Sequence, residues 1–152
     1  ALPILKGLEH AIAVLKAGHL LGVYPEGTLT RDENLWPMRA KTGVVRLALL
    51  SGVPVYPCAS WGPQEVIPPY GKKIKLFPRT KVSVLMGDPV DFSRWKGRES
   101  EPSALEEASD YLMDEITKLL EVLRGEKAPA ERFDPKKSSL PRTGNFKKQK
   151  RR

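Results

Sequence analysis

The sequence predicts an α/β fold, a partial mixed sheet covered by helices and followed by a disordered basic tail. Helical and strand-like apolar segments alternate through the first 60 residues, the order of a sheet with helices packed on it. Another strand-like run and a long amphipathic pattern follow, over residues 82–86 and 105–123. From Glu126 onward apolar residues become sparse and charge accumulates.

The elements follow in chain order. Leu5, Leu8, Ile12 and Leu15 recur at helical spacing, with Ala11 and Ala13 between them, and Gly18 ends the helix. Leu20 to Tyr24 is a short apolar run that reads as a strand, stopped by Pro25. Residues 25–40 mix Gly, Thr, Asp, Asn and Pro, which is loop chemistry. Lys41 to Ser51 is apolar on most faces and followed by Gly52, which predicts a buried helix. Val53 to Ala59 is strand-like, but Pro54 and Pro57 cannot donate to a ladder and restrict it to an edge or a special site. Residues 61–71 hold three prolines and two glycines and read as a loop. Lys75 to Phe77 is a short candidate strand, and Val82 to Met86 a clearer one closed by Gly87, Asp88 and Pro89. Ser103 and Glu106 fit a capping box. Behind them Leu105, Ala108, Leu112, Ile116, Leu119 and Leu123 form one apolar helix face, stopped by Gly125.

A length of 152 residues fits one domain, read as residues 1–125 with a tail over 126–152. The chain begins with Ala1 and is expected to be processed or cut from something longer. No apolar run approaches the roughly 18 residues of a membrane-spanning helix; the best, Val44 to Leu50, is broken by Arg46. The net charge of +8 is uneven, because ten Lys and Arg face three Asp and Glu from Glu126 onward. The folded part is therefore almost neutral, and the tail would attract an anionic membrane surface or a nucleic acid. Cys58 is the one cysteine. It excludes an internal disulfide and reads as a small buried thiol. No Cys/His cluster has zinc spacing. Trp36, Trp61 and Trp95 fall in or beside loops, where packing and a membrane-interface contact are both open.

Chemistry concentrates between Gly22 and Lys41. The strand-like run enters Pro25-Glu26-Gly27-Thr28, a turn whose backbone N–H groups can face an anion. Thr28 and Thr30 add hydroxyls, and Arg31, Arg39 and Lys41 are cations close in sequence, suited to a phosphate. Glu26 can equally be a turn residue bonding nearby N–H groups, and Arg31 and Lys41 ordinary surface charges. The residues by themselves predict an anion site at the C-terminal end of a strand, where open α/β sheets bind ligands.

Four blocks in order over residues 5–92 resemble the glycerol-phosphate and lysophosphatidic acid acyltransferase family. Tyr24-Pro-Glu-Gly-Thr28 is similar to its Phe-Pro-Glu-Gly-Thr-Arg-Ser block, and Lys41-Thr-Gly43 to its Lys-x-Gly element. Gly52-Val-Pro-Val-Tyr-Pro57 is similar to its Val-Pro-Ile-Val-Pro block, and Val82 to Val90 to its later strand ending in Gly-x-Pro. The resemblance implies an acyltransferase-like fold and transfer of a fatty acyl group to lysophosphatidic acid, forming phosphatidic acid. It implies acyl-CoA or acyl-carrier protein as co-substrate, with no further cofactor, and a place at the cytoplasmic face of the membrane, held peripherally or by an N-terminal anchor. It also implies that Glu26, Gly27, Thr28, Arg31, Lys41 and Pro54 hold the acceptor.

The sequence departs from the family pattern twice. The family's general base is the histidine of a His-x-x-x-x-Asp motif, but the fifth residue after His10 is Leu15 and after His19 is Tyr24. No catalytic residue is therefore assigned, and the isolated 152-residue chain is expected not to transfer acyl groups. Leu29 stands where the family places a phosphate-contacting Arg, with Arg31 two positions on. The alternative is a non-enzymatic anion- or nucleic-acid-binding domain with a basic tail. The near-neutral body and the lack of a recognisable nucleic-acid motif argue against a specific nucleic-acid partner.

Overall fold

The computed structural model describes residues 3–71 and 73–138. Helix α1 spans Pro3–Lys16, α2 Gly43–Ser51, strand β1 Cys58–Trp61, the single turn α3 Pro63–Val66, strand β2 Ser83–Met86 and the long helix α4 Pro102–Arg124. A 3-10 turn covers Ser93–Trp95 between β2 and α4.

The sheet is one antiparallel pair with Cys58 opposite Met86 and Trp61 opposite Ser83. It continues irregularly upstream of β1, where the Gly87 N–H donates to the Pro57 carbonyl at 2.9 Å and the Val90 N–H to that of Val55, also at 2.9 Å. Pro57 has no N–H to return, so the regular ladder begins only at Cys58. Helix α4 packs on both strands and on α2, while α1 packs on α2.

The period-3.6 faces of α2 and α4 build the core. Val45, Trp95, Ala104, Leu105, Ala108 and Leu112 are buried together, with Val44, Val55, Val90, Phe92 and Ile116 packed around them. A second cluster joins Trp36, Ala59 and Leu120 to Trp61, Leu119 and Leu123. Packing is thus the outcome for Trp36 and Trp95, both buried. Each fully buried Leu in these clusters contributes about 1.5–3 kcal/mol of transfer free energy.

Several expectations need correction. Leu20 to Tyr24 forms no strand, because no partner segment pairs with it among the described residues; Leu20 is 92% exposed and Tyr24 88%. Lys75 to Phe77 is also unpaired and exposed, tied back only at its start, where the Lys75 N–H donates to Val66 at 2.9 Å. Ser103 and Glu106 make no capping box. Glu101 takes the N-cap position ahead of Pro102, without a side-chain cap bond, and Glu106 is drawn to Arg39 and Lys136. Cys58 is exposed, because strand alternation turns Ala59 inward and Cys58 outward. Gly125 does stop α4, in the left-handed conformation that favours glycine.

Of the segment read as a disordered tail, residues 126–138 are described and residues 139–152, with the most basic stretch, lie outside the described residues. The described part has no helix or strand but lies along α4. The Ala128 N–H donates to Glu121 at 2.9 Å, Arg132 pairs with Asp114 and Asp110, and the Phe133 carbonyl accepts from the Arg39 N–H at 2.9 Å. No helix among the described residues is long and apolar enough to cross a membrane.

Candidate anion site at the Pro25–Thr28 turn

The turn at residues 24–27 closes where the Gly27 N–H donates to the Tyr24 carbonyl at 3.0 Å. Pro25 pre-sets one corner, and Gly27 has a φ of 68°, which a side chain would strain. The Lys41 N–H donates to the Pro25 carbonyl at 3.0 Å and clamps the turn to the start of α2. The Lys41 side chain then crosses Gly27 so closely that a Cβ there would meet Nζ at 2.9 Å. Gly27 is therefore required by its backbone angle, and a side chain there would also make the flexible end of Lys41 shift.

Helix α2 begins two residues after Lys41. Its N-cap, Thr42, makes no side-chain cap bond, and the first N–H groups of a helix have no partner within it. These N–H groups and the exposed Lys41 ammonium place positive potential beside the turn. Thr28 is half-buried just past the turn.

Glu26 lies under the turn. Its Oε2 accepts from the Met38 N–H at 3.3 Å, which ties the turn to the far side of the 30–40 loop. Burial pushes the carboxyl up from the ordinary carboxylate range to about 7, against the opposing pull of the Met38 N–H and the charge of Arg132. The group is therefore close to half-protonated at neutral pH.

Arg31 is buried, with its guanidinium 6.0 Å from the centre of the Tyr70 ring. Arg39 is engaged by three carboxylates, Glu106 and Asp134 at 3.3 Å and Asp110 at 3.7 Å, and its bond to Asp134 holds its pKa above the usual arginine value. Pro54 is exposed beyond the far end of α2, a helix about 13 Å long. The structure thus gathers Glu26, Gly27 and Lys41, with Thr28 beside them, and places Pro54 past the other end of α2. Thr30 is a loop organiser, its hydroxyl donating to the Trp36 carbonyl at 2.6 Å.

Sequence reasoning missed the role of Asp32. Its Oδ1 accepts from the Asn34 and Trp36 N–H groups, both at 3.0 Å, and shapes the loop that brings Met38 back to Glu26. The signal was available, since Asp two residues ahead of Asn in a turn-rich stretch is a pattern for side-chain-to-backbone capping.

Comparison with known proteins bears on the same segment. Residues 4–61, which contain the turn, Lys41 and Pro54, match the acyltransferase family. The chain is 30% identical over 119 residues to a 1-acyl-sn-glycerol-3-phosphate acyltransferase of Bacillus subtilis (strain 168), an alignment covering 76% of this chain and 54% of that protein. The chain thus spans about half the length of this relative. No solved structure matches the chain.

Proposed function

The chain belongs to the acyltransferase family, and from that premise we propose that it serves the acceptor side of acyl transfer to lysophosphatidic acid, giving phosphatidic acid. The acceptor hydroxyl attacks the thioester carbonyl of acyl-CoA or of an acyl-carrier protein. A new ester C–O bond forms, the C–S bond breaks, and the hydroxyl proton passes through a general base to the departing thiol. His10 and His19 are exposed and lack the Asp spacing of the family's base, so neither is assigned that step.

The observation that carries this reading is the Lys41 ammonium lying over Gly27 at the start of α2. A phosphate there would meet one full positive charge and the unpartnered N–H groups of a helix start. Glu26 and Thr28 frame the turn. Arg31, two positions past the family's phosphate-contacting Arg, and Pro54 enter through the family resemblance alone. The neutral form of Glu26 tolerates a neighbouring phosphate, whereas its ionised form repels one. The partners in this reading are lysophosphatidic acid or a related phosphate-bearing acceptor, the acyl donor, and an anionic membrane surface at the cytoplasmic face.

The test is transfer of labelled acyl groups from acyl-CoA and from acyl-carrier protein to lysophosphatidic acid by the complete gene product. Labelled phosphatidic acid is expected from at least one donor. Lys41→Ala is expected to raise the apparent KM for lysophosphatidic acid about tenfold, the scale of one lost charge-assisted contact, with the donor KM unchanged. Absence of product with both donors, or an unchanged acceptor KM in the variant, overturns the reading.

A further inference from the structure

The loop between α3 and β2 carries an exposed apolar tip in a purely cationic setting. Ile74 is 61% exposed, Leu76 66% and Phe77 83%. Three large apolar groups within a four-residue stretch are costly to leave in water, and such a patch marks a contact surface. Lys73, Lys75, Arg79 and Lys81 surround them and are also exposed. From Val66 to Gly87 the sequence contains no Asp or Glu, and these four side chains make none of the ion pairs found elsewhere in the described residues.

The base of the loop is fixed. The Gly71 N–H donates to the Pro68 carbonyl at 2.7 Å and the Lys75 N–H to that of Val66 at 2.9 Å. Lys81 runs against Gly62, where a Cβ would lie 2.2 Å from the Lys81 carbonyl oxygen. The apolar tip thus projects from a loop closed at both ends, and presenting it costs little further ordering entropy.

We propose that residues 73–81 dock the protein on an anionic lipid bilayer, with Ile74, Leu76 and Phe77 entering the headgroup boundary and Lys73, Lys75, Arg79 and Lys81 meeting lipid phosphates. Charge complementarity selects the partner. Cations without interspersed carboxylates suit a negatively charged surface, and aliphatic side chains beside them suit the acyl boundary beneath it. A nucleic acid would use the cations but offers nothing to Ile74 and Leu76, since its stacking platforms are aromatic. The proposal deepens the acyl-transfer reading by naming the surface that meets the bilayer, yet its test involves neither acyl donor nor acceptor. Lost vesicle binding and lost acyl transfer can therefore be told apart.

The experiment is co-sedimentation of the full chain with vesicles of pure phosphatidylcholine and of equimolar phosphatidylcholine and phosphatidylglycerol. Binding is expected to the anionic vesicles and to be weak on the neutral ones. Combined Lys73→Ser, Lys75→Ser and Arg79→Ser substitution is expected to weaken binding about a hundredfold, at about fivefold for each cation. Combined Ile74→Ser, Leu76→Ser and Phe77→Ser substitution leaves every charge in place, including those near the C-terminus, and is expected to weaken binding at least tenfold. Unchanged binding by this apolar variant overturns the proposal, because attraction by basic residues alone would explain the wild type. Tighter binding to single-stranded RNA than to anionic vesicles, insensitive to the same variant, overturns it as well. A fluorophore at position 77, attached through Phe77→Cys in a Cys58→Ser background, gives a reading independent of affinity. A blue shift on anionic vesicles is expected, and its absence in vesicle-bound protein overturns the insertion step.

Discussion

Residues 18–29 and helix α4 are both rich in apolar side chains, yet they end in opposite states. On α4, Leu105 is 1% exposed and Leu112 2%, whereas Leu20 is 92% exposed and Tyr24 88%. The difference lies in what each segment needs. A helix satisfies its own backbone and requires only something apolar against one stripe, which β1, β2 and α2 supply. A strand must find a neighbour for its N–H and C=O groups as well as for its side chains. Stability is therefore concentrated on the α4 side, and the segment leading into the anion turn contributes little of it.

The contrast is broken most directly by paired truncations. Leu112→Ala is expected to lower unfolding free energy by about 2–5 kcal/mol in urea titration, whereas Leu20→Ser is expected to change it by less than about 0.5 kcal/mol. Equal losses would show that the two regions fold as one cooperative unit with shared packing.

Glu26 sharpens the comparison, because it is the point where the turn buries charge. Its folded pKa of about 7 lies above its ordinary 4.5, so between these values the folded state holds more protons than the unfolded one. Stability is then full below about pH 4.5 and falls as pH rises to about 7, by up to about 3 kcal/mol. Glu26→Gln is expected to remove most of this slope in thermal melts from pH 4 to pH 8. In the complete gene product it is also expected to flatten any loss of lysophosphatidic acid affinity above pH 7.

Smaller effects separate the two neighbouring cations. Arg39→Ala removes the hub of three partly exposed ion pairs and is expected to cost about 1 kcal/mol in urea titration, with no direct effect on acceptor affinity. Gly27→Ala forces a side chain into left-handed backbone and against Lys41, and is expected to cost about 1 kcal/mol of stability. It should also raise the acceptor KM, because the ammonium must move.

What could be read in the sequence follows the same division between local and distant causes. Helix α1, α2 with its closing Gly52, and the apolar face of α4 ending at Gly125 were all legible, because period and caps are local. So was the turn, where Gly27 and Lys41, 14 positions apart, are brought together by one backbone hydrogen bond. The fate of Arg39 was not legible. Its carboxylate partners lie on α4 and beyond it, and no pattern near residue 39 announces them. The capping box failed for a local reason, since Pro102 sets the first turn and leaves Ser103 inside it. The exposed thiol of Cys58 turned on strand phase, which a proline-interrupted run leaves undetermined by a single residue.

Near the end of α4, Arg124 lies between two indoles, its guanidinium carbon 3.9 Å from the centre of the Trp36 ring and 4.2 Å from that of Trp61. One donor, Nη1, reaches the Asn34 carbonyl at 2.8 Å, and Glu126 pairs with the outer side. This stack clips the 30–40 loop, β1 and the last turn of α4 at a single point. It also gives the protein an intrinsic optical reporter. Two of the three tryptophans share one cation, so their emission will register the loop lifting from the helix even while Trp95, buried in the other cluster, stays in place. An early spectral change during mild denaturation, lost in Arg124→Met, would time the release of the loop that holds Met38 against Glu26, separately from the melting of the core.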